Sequence, residues 1–123
     1  MVRILVVDDE DLVRFSVRQM LEDEGHQVEE AADGVEGMAK IESGPFDLMV
    51  TDIVMPRKEG LETIAEAKRV QPDLRIIAIS GGGPVGQFNY LDLAKQFGAD
   101  AVLAKPFKKQ DLVAVVNAVL QRR

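Results

Sequence analysis

Five short apolar runs recur along the chain: Ile4–Val7, Val28–Ala31, Phe46–Val50, Leu74–Ile79 and Ala101–Ala104. Val28–Ala31 is the weakest. The other four are rich in Val, Ile and Leu without polar alternation, which suits strands buried on both faces. The intervening segments have helical spacing. Val13, Val17, Met20 and Leu21 make one stripe, ended by Gly25. Val35, Met38, Ala39 and Ile41 make a second, ended by Gly44. Leu61, Ile64, Ala65 and Lys68 give a third. Leu91, Ala94 and Phe97 give a fourth, ended by Gly98, and Leu112, Val115, Val116 and Val119 give a fifth. The pattern predicts five strand–helix units with short connections.

Strands alternating with helices imply a parallel sheet covered on both faces, with right-handed crossovers. Five units suit an open, doubly wound α/β fold, a flavodoxin-like three-layer (βα)5 sandwich. The strand order expected for it is 2-1-3-4-5. Sites in such sheets lie at the carboxyl ends of the strands, near the switch in strand order.

Composition narrows the class. The chain has 123 residues, suited to one domain. It has no cysteine, which excludes disulfides, thiolate metal sites and a catalytic thiol. Twenty-one acidic and 15 basic residues give a formal charge of −6. That balance argues against a nucleic-acid partner, whose phosphates need a basic footprint, and against a polybasic membrane surface. No apolar run approaches the roughly 20 residues that span a bilayer, and the first residues lack a signal-peptide layout. The expectation is an acidic cytoplasmic protein.

Candidate chemistry gathers just after the strands. Asp8-Asp9-Glu10-Asp11 follows the first run, Asp52 the third, Ser80 the fourth and Lys105 the fifth. In the order 2-1-3-4-5 these four strand ends are neighbours, about 4.8 Å apart, and form one rim. Crowded carboxylates need a counter-charge, and Mg²⁺ suits one or two carboxylates with phosphate oxygens. Mg²⁺, an ammonium and a hydroxyl together stabilise a transferring phosphoryl group. A carboxylate can accept that group as nucleophile. Asp52, central in the row, is the candidate acceptor, with Asp8 and Asp9 holding the metal. Taken alone, Asp8–Asp11 reads first as the acidic first turn of a helix.

The stretches Ile4-Leu5-Val6-Val7-Asp8-Asp9-Glu10, Thr51-Asp52-Ile53-Val54-Met55-Pro56, Gly60, Ile79-Ser80-Gly81 and Lys105-Pro106-Phe107 resemble the receiver domain of bacterial two-component response regulators. The resemblance covers essentially the whole chain. It implies that Asp52 takes phosphoryl from a histidine kinase. It implies that Asp8, Asp9, Asp52 and the backbone carbonyl of Val54 bind Mg²⁺. Ser80 and Lys105 would contact the phosphoryl group, and the Lys105–Pro106 peptide would be cis. Family members dock histidine donors near the first helix, where Leu12 and Phe15 fall off the core stripe. The expectation is a single receiver domain over 1–123, of the stand-alone chemotaxis-receiver type and without an output domain. It would be a phosphoacceptor that assists its own phosphorylation and dephosphorylation rather than an enzyme. Its signal would pass to a protein target, with Val113 and Leu120 as candidate contacts. The alternative is a relay intermediate or phosphate sink that hands phosphoryl to a histidine phosphotransferase.

The chain departs from the family pattern in several places. Val102 stands where the family often has an aromatic switch residue. A glycine-rich stretch from Gly81 to Gly86 lengthens the segment after Ser80. Val54 and Gly82 offer no side chain to position a water, which predicts slow loss of phosphoryl. Glu59 replaces the usual Asp before Gly60. Gly81-x-Gly83-x-x-Gly86 is also a formal dinucleotide fingerprint, but it follows the fourth strand instead of the first, and Pro84 removes an N–H. A carboxylate-nucleophile phosphatase of the haloacid dehalogenase type would need an Asp at position 54. His26 reads as a turn residue.

Overall fold

The computed structural model describes residues 2–53, 60–80 and 90–121, with backbone alone for 90–93. Strands and helices alternate throughout: β1 (Arg3–Val7), α1 (Asp11–Glu22), β2 (Gln27–Ala31), α2 (Gly34–Ser43), β3 (Leu48–Asp52), α3 (Gly60–Val70), β4 (Arg75–Ser80), α4 (Tyr90–Phe97), β5 (Ala101–Ala104) and α5 (Lys109–Gln121). The five strands form one parallel sheet in the order β2-β1-β3-β4-β5. The doubly wound architecture expected from the pattern is the one observed.

Residue parity divides the core into two layers. Ile4, Val6, Leu48, Val50, Ile77 and Ile79 point to one face, where α1 and α5 cover them with Val17, Leu21, Leu112, Val116 and Val119. Leu5, Val7, Met49, Ile76 and Ala78 point to the other, covered by α2, α3 and α4 through Met38, Ile41, Ile64, Ala67 and Ala94. Successive strand residues face opposite sides, so a strand buried on both faces is apolar along most of its length, and the buried polar Thr51, Asp52 and Ser80 stand at the carboxyl ends of β3 and β4. The edge strand β2 is the exception. Its Glu30 faces α1 and pairs with Arg14 and Arg18, while Glu29 pairs with Lys40 of α2 and with Arg3. Ion pairing at an edge explains why this strand is faint in the hydropathy pattern.

Two helices bury a face shifted from the one their apolar residues suggest, keeping Met38 and Ile41 on α2 and Ile64 on α3 inside. On α2, Val35 and Ala39 are exposed, and Gly34, Gly37, Met38 and Ile41 are buried. A Cβ on Gly37 would meet Val7 Cγ2 at 3.1 Å. The helix thus lies on the sheet through its glycines, and Val35 turns outward. On α3, Thr63 and Ala67 join Ile64 in the interior, while Leu61 and Ala65 are half-buried. On α4, Ala94 is buried and Phe97 is largely exposed. Gly25 and Gly98 follow α1 and α4 with positive φ, as helix-ending glycines do.

Candidate functional site

Strand register assembles the site. Val7 pairs with Thr51, Asp52 with Ile79, and Ser80 with Ala104. Asp8, Asp52, Ser80 and Lys105 therefore leave the sheet side by side. Backbone hydrogen bonds carry the alignment past the strand ends: Asp8 N–H donates to the Ala31 carbonyl at 3.1 Å, and Lys105 N–H to the Ser80 carbonyl at 2.7 Å. Asp8, Asp52 and Ser80 are all buried. The Lys105–Pro106 peptide is cis.

Lys105 is the hub. Its Nζ lies 3.0 Å from Asp52 Oδ2, 3.3 Å from Asp8 Oδ2 and 3.4 Å from Glu10 Oε1. Burial disfavours its charge, but the hydrogen bond and charge of Asp52, aided by Asp8, outweigh that and hold its pKa above the usual lysine value. Asp8 is shifted up as well. Burial is the main cause and the Asp52 charge adds to it, against the opposing pull of the Glu10 N–H and Lys105. The Glu10 N–H donates to Asp8 Oδ1 at 2.9 Å.

The carboxylates of Asp8, Glu10 and Asp52 each place one oxygen within 4.8 Å of the other two. Three converging hard oxygen donors suit Mg²⁺ by ligand chemistry. Asp9 stands exposed and is not part of this group. Glu10 takes the third place instead. The chain bends at Asp9, and the Glu10 N–H returns to Asp8 Oδ1, which brings residues 8 and 10 together. Four consecutive acidic residues carry no sequence signal that selects Glu10 over Asp9.

Arg14 is also absent from the sequence expectations. It is buried on α1 beneath the site, with Nη1 donating to the Asp8 carbonyl at 2.8 Å. Its spacing with Val17 and Leu21, three and seven residues on, was the available signal, since that spacing is one helix face. Val102 lies on β5, half-buried against the layer covered by α2, α3 and α4. Leu12 is 82% exposed and Phe15 53%. Val113 and Leu120 are half-buried, Leu120 against the α1–α5 layer. Val54, Glu59, Gly81, Gly82, Gly83 and Gly86 lie outside the described residues.

An apolar groove of about 350 Å³ opens beside Lys105. It runs between α1 and the segment after β5, lined by Leu12, Val13, Met20, Pro106 and Phe107 among others. Among the described residues no helix is long and apolar enough to cross a membrane.

Comparison with known proteins agrees with this rim. Response regulator MprA of Mycobacterium bovis is 41% identical over 122 residues, covering 98% of this chain and 51% of that protein. The chain thus spans about half the length of the curated relatives it matches. The crystal structure of a CheY-like response regulator receiver domain protein from Methanospirillum hungatei superposes with a TM-score of 0.87 at 36% identity, covering 96% of this chain and 92% of that one. Response regulator protein TrrA from Thermotoga maritima, solved in complex with Mg²⁺ and BeF, gives 0.84 at 34% identity, covering 97% and 99%. The model of the response regulator receiver domain matches residues 4–117. With the sheet order, the acidic rim and the match over nearly its whole length in agreement, this chain belongs to the response regulator receiver domain family.

Proposed function

We propose that this chain accepts a phosphoryl group on Asp52, with Mg²⁺ bound at the rim, from the phosphohistidine of a histidine kinase. The aspartyl phosphate then changes its contacts with a protein partner. The observation that carries this reading is Lys105 Nζ, 3.0 Å from Asp52 Oδ2 and shared with Asp8 and Glu10. An ammonium held there neutralises charge where a phosphoryl group would arrive.

In the step proposed, an Asp52 carboxylate oxygen forms a bond to phosphorus as the P–N bond to the donor imidazole breaks. The imidazole leaves with that electron pair and takes a proton. Lys105 and Ser80, at neighbouring strand ends, donate to the phosphoryl oxygens. Asp8 and Asp52 would hold Mg²⁺, with Glu10 within reach and with Asp9 and the Val54 carbonyl as the family resemblance implies. When bound, the ion offsets negative charge on the carboxylates and phosphoryl oxygens. Loss of the phosphoryl to water is unassisted by any side chain at Val54 or Gly82, and so is slow.

The histidine donor seats on the groove between α1 and Pro106–Phe107. Leu12 lines that groove, is largely exposed and adjoins Lys105. The same seat serves a histidine phosphotransferase, which keeps the relay reading as the second one. A target bound only by the phosphorylated chain favours the switch; reversible passage of phosphoryl to a phosphotransferase favours the relay.

Incubation with Mg²⁺ and acetyl phosphate, followed by intact mass, tests the core reading. One phosphoryl adduct is expected, absent in Asp52→Asn. No adduct from acetyl phosphate or from any histidine kinase overturns it.

A further inference from the structure

We propose that Arg14 is a positioning residue for the cation-binding turn Asp8–Glu10. Its side chain, only 9% exposed, serves three acceptors at once. Nη1 donates to the Asp8 carbonyl at 2.8 Å, Nε to Glu30 Oε1 at 2.8 Å and Nη2 to Asp11 Oδ1 at 2.7 Å. The Asp8 carbonyl belongs to the peptide joining Asp8 to Asp9, so the guanidinium fixes the plane of that peptide. The next peptide supplies the Glu10 N–H that holds Asp8 Oδ1 at 2.9 Å. Arg14 thus sets, through two peptides, the direction in which the Asp8 carboxylate and the Glu10 side chain leave the backbone.

The anchor is external to the turn. Glu30 belongs to β2 and is itself braced by Arg18 Nη1 at 2.6 Å. Arg18 also reaches Glu22 at 2.9 Å, so its bonds go to Glu22 and Glu30 rather than to the turn. The two arginines lie four residues apart on one helix and share Glu30, yet only Arg14 touches the Asp8 peptide. The three acceptors are served by three different nitrogens of the planar fork, whereas an ammonium offers all its donors from a single atom. Partners that orient metal ligands without touching the metal typically change affinity by 10–100-fold when removed.

This inference rests on the Mg²⁺ site proposed above. Mg²⁺ titration of the full chain, followed by backbone-amide NMR shifts, tests it alongside thermal denaturation of each variant. Arg14→Met is expected to weaken Mg²⁺ binding about tenfold. Arg18→Met loses its ion pairs and some thermal stability, but keeps the parent affinity within about twofold. Arg14→Lys, which retains one donor group, falls between Arg14→Met and the parent and serves where Arg14→Met does not fold. Parent affinity in Arg14→Met or in Arg14→Lys overturns the proposal. So does equal weakening by Arg18→Met, which would make Arg14 a mere staple between α1 and β2. A parent chain that takes up no Mg²⁺ overturns the site reading itself, and the role of Arg14 with it.

Discussion

Gly60 lies against the backbone carbonyl of Asp52 with no space for a side chain between them. A Cβ there would overlap that oxygen and Ile53 Cα, and the Gly60 N–H donates to the Ile53 carbonyl at 3.2 Å. The start of α3 is thus pressed onto the residue that ends β3. The obstacle is backbone on both sides, so no flexible group can give way. Gly60→Ala is expected to destabilise the fold by about 2–3 kcal/mol and to slow labelling of Asp52. Gly44→Ala, whose Cβ would meet only Arg3 Nη1 at 3.4 Å, should change stability by no more than about 0.5 kcal/mol. Urea denaturation of the two variants checks the contrast.

Lys105 sits among three carboxylates, and a bound Mg²⁺ would draw on the same oxygens. Lys105→Met removes a cation from beside the buried carboxylates of Asp8 and Asp52. The expected cost, without Mg²⁺, is on the order of 3 kcal/mol. The same change removes a competing positive charge, so Mg²⁺ affinity should rise while phosphoryl acceptance falls. Calorimetric Mg²⁺ titration beside acetyl phosphate labelling reads both. Weaker Mg²⁺ binding in Lys105→Met would refute the competition.

Asp8 pays a desolvation cost in ionised form, since it is fully buried and near Asp52. Asp8→Asn should therefore raise stability by on the order of 1 kcal/mol, read as a higher Tm, while abolishing Mg²⁺ binding. A site whose charges oppose folding is stabilised when one is removed. A lower Tm would show that the pairing of Asp8 with Lys105 outweighs its burial.

His26 accepts a hydrogen bond at Nδ1 from the Val2 N–H, at 3.3 Å. Burial holds its pKa below the usual value near 6.5. The folded chain therefore favours the neutral ring. The stability this contributes is full above about pH 6.5 and is lost as pH falls through the lowered folded value. Imidazole NMR should give a native pKa under 6.5, and His26→Asn should flatten this part of the stability profile. A native pKa at or above 6.5 contradicts the assignment.

Leu12 is exposed on the groove rim, so Leu12→Ser should alter stability by under about 0.5 kcal/mol. Labelling by acetyl phosphate should be unchanged. Transfer from a histidine kinase or phosphotransferase that labels the parent chain should slow. Equal transfer rates would place the donor elsewhere.

The sheet was legible because strands buried on both faces are apolar along most of their length, with polar residues gathered at the site-bearing carboxyl ends of β3 and β4. β1, β3 and β4 announce themselves that way. β2 was faint because an edge strand can carry Glu29 and Glu30 when arginines and a lysine reach them. The buried faces of α2 and α3 were misjudged for a related reason. Hydropathy counts Val35 and Ala39 as core and passes over Gly37 and Thr63, but close approach to the sheet favours the residue with least volume.

For the site, residue order alone determined that Asp8, Asp52, Ser80 and Lys105 end neighbouring strands. Parallel strands with short crossovers leave few other arrangements. Which carboxylates meet the lysine was decided in three dimensions. The bend at Asp9, held by the Glu10 N–H on Asp8 Oδ1, brings the Glu10 carboxylate to the rim, and Asp9 is exposed. Arg14 likewise looks like any surface arginine until the fold brings Glu30, Asp11 and the Asp8 carbonyl to it. The succession of strands and helices follows from local periodicity, and the strand order from the arrangement common to five such units. The direction of a side chain depends on contacts between residues far apart in sequence, and those exist only once the chain has packed.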